Sequence, residues 1–108
     1  MLPTIQEAEF ELQEAGKLNP GPWEKHSLNT GIAARNIAER IEGMDPDRAY
    51  IFGLLHDIGR RVGIVDIPTH VYAGFEYCKK KGWDEVARIC MTHSYLLMKD
   101  EFNYEPHF

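Results

Sequence analysis

Residues 45–61 read Asp45-Pro46-Asp47-Arg48-Ala49-Tyr50-Ile51-Phe52-Gly53-Leu54-Leu55-His56-Asp57-Ile58-Gly59-Arg60-Arg61. Asp45 carries the side chain of a helix N-cap and Pro46 the fixed φ of a first helical position, so a helix starts here. Ala49, Tyr50, Ile51, Phe52, Leu54, Leu55 and Ile58 follow with almost no polar face between them. A helix that is apolar nearly all round belongs at the centre of a fold. Gly59 reads as its C-terminal cap, which puts Asp57 in the last turn, where the helix dipole disfavours negative charge. A carboxylate there needs a cation. Two arrangements supply one: His56 and Asp57 bind a metal ion together, or His56 hydrogen-bonds a carbonyl while Asp57 pairs with Arg60. On these residues alone both stand.

Upstream, a helix from Trp23 or Glu24 to Glu42, stopped by Gly43, carries Leu28, Ile32, Ala33, Ile37, Ala38 and Ile41 at helical spacing, which reads as one apolar face. His26 lies in its first turns, in line with Thr30, Ala33 and Ile37, so that it can point inward; alone it would read as a core histidine. The short Gly43-Met44 connection favours antiparallel neighbours. From His26 to Glu42 is 16 residues and from Pro46 to Asp57 is 11, about 24 Å and about 16 Å of helix. His26 and the His56-Asp57 pair therefore come to the same end of a hairpin.

Downstream, Arg60 to Ile67 reads as a loop containing Gly63. A fourth helix starts at Pro68-Thr69, with Thr69 as cap, and runs to Lys81 before Gly82. A fifth starts at Asp84 and carries Val86, Ala87, Ile89, Cys90 and Met91 to about His93. His70 opens one arm of this second hairpin and His93 closes the other. If the two hairpins pack with these ends together, His26, His56, Asp57, His70 and His93 share a cleft, and of the five histidines only His107 is left out. The chain starts with a helix from Ile5 to Ala15, opened by the capping box Thr4-x-x-Glu7 and closed by Gly16, whose acidic face of Glu7, Glu9, Glu11 and Glu14 reads as solvated. Asn19-Pro20-Gly21-Pro22 reads as a loop rather than a linker.

The fold class is therefore all-α, about five helices in two antiparallel hairpins around a buried central helix. At 108 residues the chain has room for a single domain. Its 44% hydrophobic and 27% charged residues are ordinary for a soluble globular protein. No stretch approaches the ~18 apolar residues of a membrane span, and Met1-Leu2-Pro3-Thr4 is not a signal peptide. Cys78 and Cys90 form no metal or disulfide pattern and read as small buried residues, with a reducing cytoplasm as the default compartment. A formal charge of −5 argues against nonspecific nucleic-acid binding, while a local cluster of metal and arginine still suits a small anionic substrate.

The order His26, His56-Asp57-Ile58-Gly59, His70, His93, with the phrases Trp23-Glu24-Lys25-His26-Ser27 and Gly53-Leu54-Leu55-His56-Asp57-Ile58-Gly59-Arg60, resembles the HD superfamily of metal-dependent phosphohydrolases across residues 22–95, in its His-Asp-Ile-Gly form. The resemblance implies that His26, His56 and Asp57 bind one divalent ion, that Asp57 can bridge to a second, and that His70 and His93 serve that second ion. It implies hydrolysis of a phosphoester or phosphoanhydride of a small, nucleotide-like substrate by metal-activated water, with Asp57 and Arg60 as catalytic residues and Arg60 or Arg61 on the phosphate. Imidazole and carboxylate ligands suit Mn, Fe, Co, Ni or Zn. The same histidines also fit a regulatory module that binds a nucleotide or metal without turnover, or a closed structural metal site, which the arginine pair argues against. Neither a membrane nor a nucleic acid is expected as partner, and the oligomeric state is open. The family pattern closes with a later Asp, which Asp100, Glu101 and Glu105 do not match, so the expectation is a domain lacking its C-terminal part. Leu96 to Phe108 then reads as an arm that packs on a partner or on the rest of the protein.

Overall fold

A computed structural model describes residues 1–63 and 67–92, with the backbone alone at 67 and 68. Five α-helices carry the chain: α1 Ile5–Leu18, α2 Trp23–Glu39, α3 Pro46–Leu55, α4 Ile67–Lys81 and α5 Asp84–Thr92, with a 3₁₀ helix Ile58–Val62 between α3 and α4. No strand occurs among the described residues, and none of their helices is long and apolar enough to cross a membrane. The all-α arrangement of two antiparallel hairpins about a central helix is the one expected.

The capping signals act as read. Thr4 and Glu7 form a reciprocal capping box on α1, and the Asp45 carboxylate accepts from the N–H groups of Asp47 and Arg48 at the start of α3. Tyr50, Ile51, Leu54 and Leu55 of α3 and Ile58 beyond it are buried among Ala8, Leu12 and Ala15 of α1, Cys78 of α4, and Trp83, Val86, Ala87 and Cys90 around α5. Both cysteines are buried.

α2 differs from its sequence reading. Of the expected apolar face, Ala38 is buried, whereas Leu28, Ile32, Ile37 and Ile41 are exposed. The buried side is Ser27, Gly31 and Ala38. The reason is the closeness of the α2–α3 crossing: a Cβ on Gly53 would lie 2.5 Å from the Gly31 Cα. Backbones that touch through two glycines leave no room for branched side chains between them, so the large residues of α2 are turned aside.

The acidic face of α1 is only partly solvated. Glu9 accepts from the Tyr50 hydroxyl at 2.8 Å. Glu11, on the same helix, accepts from Tyr77 and pairs with Arg61 at 3.5 Å and Lys81 at 3.7 Å, tying α1 to α4 and to the 3₁₀ helix. α1 also runs past Gly16 to Leu18, and Asn19 caps it.

The end of α3 is the correction that shapes the site. The helix stops at Leu55 with His56 as its C-cap rather than continuing to Ile58. Asp57, at φ −112° and ψ 20°, breaks the helical path, and the chain re-enters as the 3₁₀ helix. Gly59 lies inside that helix instead of capping α3. Its hydrogen atom faces the backbone of α4: a Cβ there would fall 1.7 Å from the His70 carbonyl oxygen and 2.5 Å from the Gly74 nitrogen. The expected loop from Arg60 thus begins only after Val62, and Thr69 lies within the first turn of α4 rather than ahead of it.

Candidate metal centre

Three polar or charged side chains are buried among the described residues, Ser27, Asp57 and His70, and two of these meet at the break after α3. Consecutive residues of a helix point about 100° apart, so His56 and Asp57 on an unbroken α3 would face different neighbours. With the helix ended at His56, Nε2 of His56 and Oδ2 of Asp57 come within 3.4 Å. His26, in the first turns of α2, closes the group from the other arm of the hairpin, its ring centroid 5.8 Å from that of His56 at 66° between planes. One ligating atom from each of His26, His56 and Asp57 lies within 4.8 Å of the others.

The donor set fits a divalent ion. Two imidazoles and a carboxylate match the borderline transition metals; ligands bound at about 2.1 Å in tetrahedral geometry sit ~3.4 Å apart, so the three atoms, within 4.8 Å of one another, would draw in around an ion. The tautomer fits as well. Nδ1 of His56 lies 2.7 Å from the Gly53 carbonyl, which can only accept, so Nδ1 carries a proton and Nε2, on the side of Asp57 and His26, is the ring nitrogen placed to ligate. Both contacts of the alternative arrangement are present too: this carbonyl bond, and Arg60 Nε at 3.4 Å from Asp57 Oδ2.

The other expected residues separate. His70, buried at the start of α4, puts Nε2 at 3.2 Å from the second carboxylate oxygen, Asp57 Oδ1. The two oxygens thus serve two sides, Oδ2 toward His56 and Arg60, Oδ1 toward His70. Arg60 is partly exposed beside the group. Arg61 has partners of its own: its guanidinium stacks 3.9 Å above the Tyr77 ring and pairs with Glu11 at 3.5 Å. His93, His107 and the acids Asp100, Glu101 and Glu105 lie outside the described residues, as does the segment from Leu96 to Phe108.

Two contributors carry no signal in the sequence. Cys90 donates its thiol to the Leu55 carbonyl at 3.4 Å, at the end of α3. The neighbouring Cys78 thiol, burial and the charge of Asp57 all push the Cys90 thiol upward, so it stays protonated. Asn19, read as part of a loop, donates its side-chain amide to the Arg60 carbonyl at 2.7 Å.

A family model described as the HDOD domain matches residues 5–94. The chain belongs to the HDOD domain family. An HDOD domain is related to the HD superfamily, which is the relationship the His56-Asp57 motif implied. This HDOD domain is also similar to proteins named Ribonuclease Y: 38% identical over 61 residues to that of Mesoplasma florum, covering 56% of this chain and 12% of the relative. The likeness to the Opitutus terrae protein is 39% over 57 residues, covering 53% and 11%. That to the Mycoplasma capricolum protein is 33% over 66 residues, covering 61% and 13%. The HDOD chain thus spans little more than a tenth of the length of these relatives. No solved structure matches it.

Proposed function

We propose that this HDOD domain, of the His-Asp-Ile-Gly type, binds a divalent transition metal on His26, His56 and Asp57 and hydrolyses a phosphoester or phosphoanhydride of a nucleotide-like substrate. The observation that supports this most is the convergence of three ligating atoms from two helices within 4.8 Å, beside a partly exposed arginine. His26, His56 and Asp57 would hold the ion, which when bound would acidify a coordinated water and offset charge on phosphoryl oxygens. The chain's own groups do the rest. Gly53 fixes the His56 tautomer, and His70 holds the Asp57 carboxylate in one orientation from behind. The Arg60 guanidinium, 37% exposed, has N–H groups left to receive a phosphate. His70 and His93 are the residues proposed for a second ion, and the reading includes a further carboxylate from outside the described residues. Two buried cysteines in no paired arrangement fit a reducing compartment such as the cytoplasm.

One observation favours a second reading, a module that binds metal or nucleotide without turnover. Arg60 contacts the same Asp57 oxygen that faces His56, so the carboxylate already has a cation. The two readings separate in a turnover assay with Mn, Fe, Co, Ni or Zn on bis(p-nitrophenyl) phosphate, nucleotides, dinucleotides and, because the relatives are named ribonucleases, short RNA. Metal-dependent cleavage of any of these that is lost in His26→Ala supports the hydrolase. Metal binding with no cleavage across the panel supports the binding module.

A further inference from the structure

One residue touches three of the elements that frame the site. The backbone N–H of Asn19 donates to the Ala15 carbonyl at 3.0 Å and closes α1. Its carbonyl accepts the Trp23 indole N–H at 2.7 Å, at the first residue of α2. Its side-chain amide crosses to the Arg60 carbonyl at 2.7 Å, in the 3₁₀ helix. That carbonyl has a second lone pair and also accepts from Gly63 N–H at 3.2 Å, so the Asn19 bond is additional to the turn's own. Both ends of the bridge lead directly into the metal group. Trp23 is one helical turn before His26, and Arg60 is one turn after Asp57, with its N–H bonded to the Asp57 carbonyl at 2.9 Å.

We infer that Asn19 is a positioning residue for the metal centre, setting the distance between His26 on α2 and the His56-Asp57 pair at the end of α3. The inference rests on the metal reading above. The α2–α3 crossing already fixes the two helices near Gly31 and Gly53, more than a turn of α2 from His26. At the open end of the hairpin the Asn19 bridge joins the start of α2 to the segment after Asp57. It touches neither metal nor substrate, so its effect is on geometry. Groups that orient metal ligands from outside the first ring of contacts change affinity by roughly 10- to 100-fold when removed.

The test is a Co(II) titration of the full chain, following the ligand-field absorption of the ion, on the parent and three variants. Asn19→Ala removes the bridge. Asn19→Asp keeps size and backbone bonds but replaces the donor to Arg60 with an acceptor. Thr4→Ala removes the α1 cap, a loss of stability remote from the site. The expected result is Co(II) affinity lowered ~10-fold or more in both Asn19 variants, with altered absorption bands, and affinity and bands unchanged in Thr4→Ala. Parent-like Co(II) binding in the Asn19 variants overturns the inference and leaves the metal reading intact. Loss of helical circular dichroism in both Asn19 variants also overturns it, because the residue would then serve the fold and not the site. Absence of Co(II) binding by the parent overturns the metal reading and the inference together.

Discussion

Nε2 of His70 lies 3.2 Å from Oδ1 of Asp57, with both side chains almost wholly shut off from solvent. A carboxylate at the C-terminal end of a helix is in an unfavourable field, and burial adds to the cost. The contact from α4 offsets part of it and fixes which oxygen faces His56. His70→Ala should therefore lower global stability by about 1–3 kcal/mol, the range for removing a partner from a buried polar group. Urea unfolding followed by circular dichroism measures this. A change within ~0.5 kcal/mol, typical of surface substitutions, would show that the contact contributes little.

Gly59 sets how near α4 can come. A methyl group in its place would meet the His70 carbonyl and the Gly74 nitrogen, both backbone atoms that cannot rotate away. Gly59→Ala is expected to destabilise by about 1–3 kcal/mol or more through forced separation of the 3₁₀ helix from α4. Thermal unfolding reads the loss, and a Tm equal to that of the parent would contradict the packing described.

The two arginines after the motif have different duties. Arg61 is held by Glu11 and Tyr77, so Arg61→Ala should reduce stability while leaving turnover of a phosphoester near the parent's. Arg60 flanks Asp57 and is partly exposed. Arg60→Ala should lower kcat/KM on the order of 10²-fold, the effect of losing one donor aimed at developing charge. Steady-state kinetics on both variants checks the contrast, and equal losses in the two would contradict it.

How far the fold and the site are legible in the sequence depends on the kind of signal. Asp45-Pro46, the capping box at Thr4 and the apolar run from Tyr50 to Leu55 are local rules, and the helices they announce are present. The meeting of His26 with His56-Asp57 is also readable, because a short turn between two helices dictates which ends meet. The face of α2 is not. Periodicity finds large apolar residues, but the α2–α3 contact is made by Gly31 and Gly53, and smallness has no hydrophobic signal. Gly59 misleads for a related reason: a glycine that ends a helix and one that admits another backbone look alike in sequence. The parts played by Glu11, Asn19 and Cys90 depend on partners 35 to 66 residues away, beyond the reach of any local pattern.

Tyr50 and Tyr77 give the fold an alkaline limit. Burial first, and hydrogen bonds to Glu9 and Glu11 second, raise both phenol pKa values above 10.0. The folded protein then holds these protons more tightly than the unfolded chain does. Their contribution is whole below the unfolded value near 10 and is lost as pH rises through the folded values. Stability should fall above about pH 10, and the fall should be shallower in a Tyr50→Phe, Tyr77→Phe double variant. Urea midpoints measured across that range test this; parallel pH profiles for the two proteins would contradict it.

The most direct test of the metal centre is the metal content of the purified chain, measured by inductively coupled plasma mass spectrometry for the parent and for a His56→Ala, Asp57→Ala double variant. Near-stoichiometric transition metal is expected in the parent, as purified or after reconstitution with Mn, Fe, Co, Ni or Zn, together with its loss in the variant. A parent that retains none of these metals, or a variant that retains as much as the parent, would contradict a metal site on these residues.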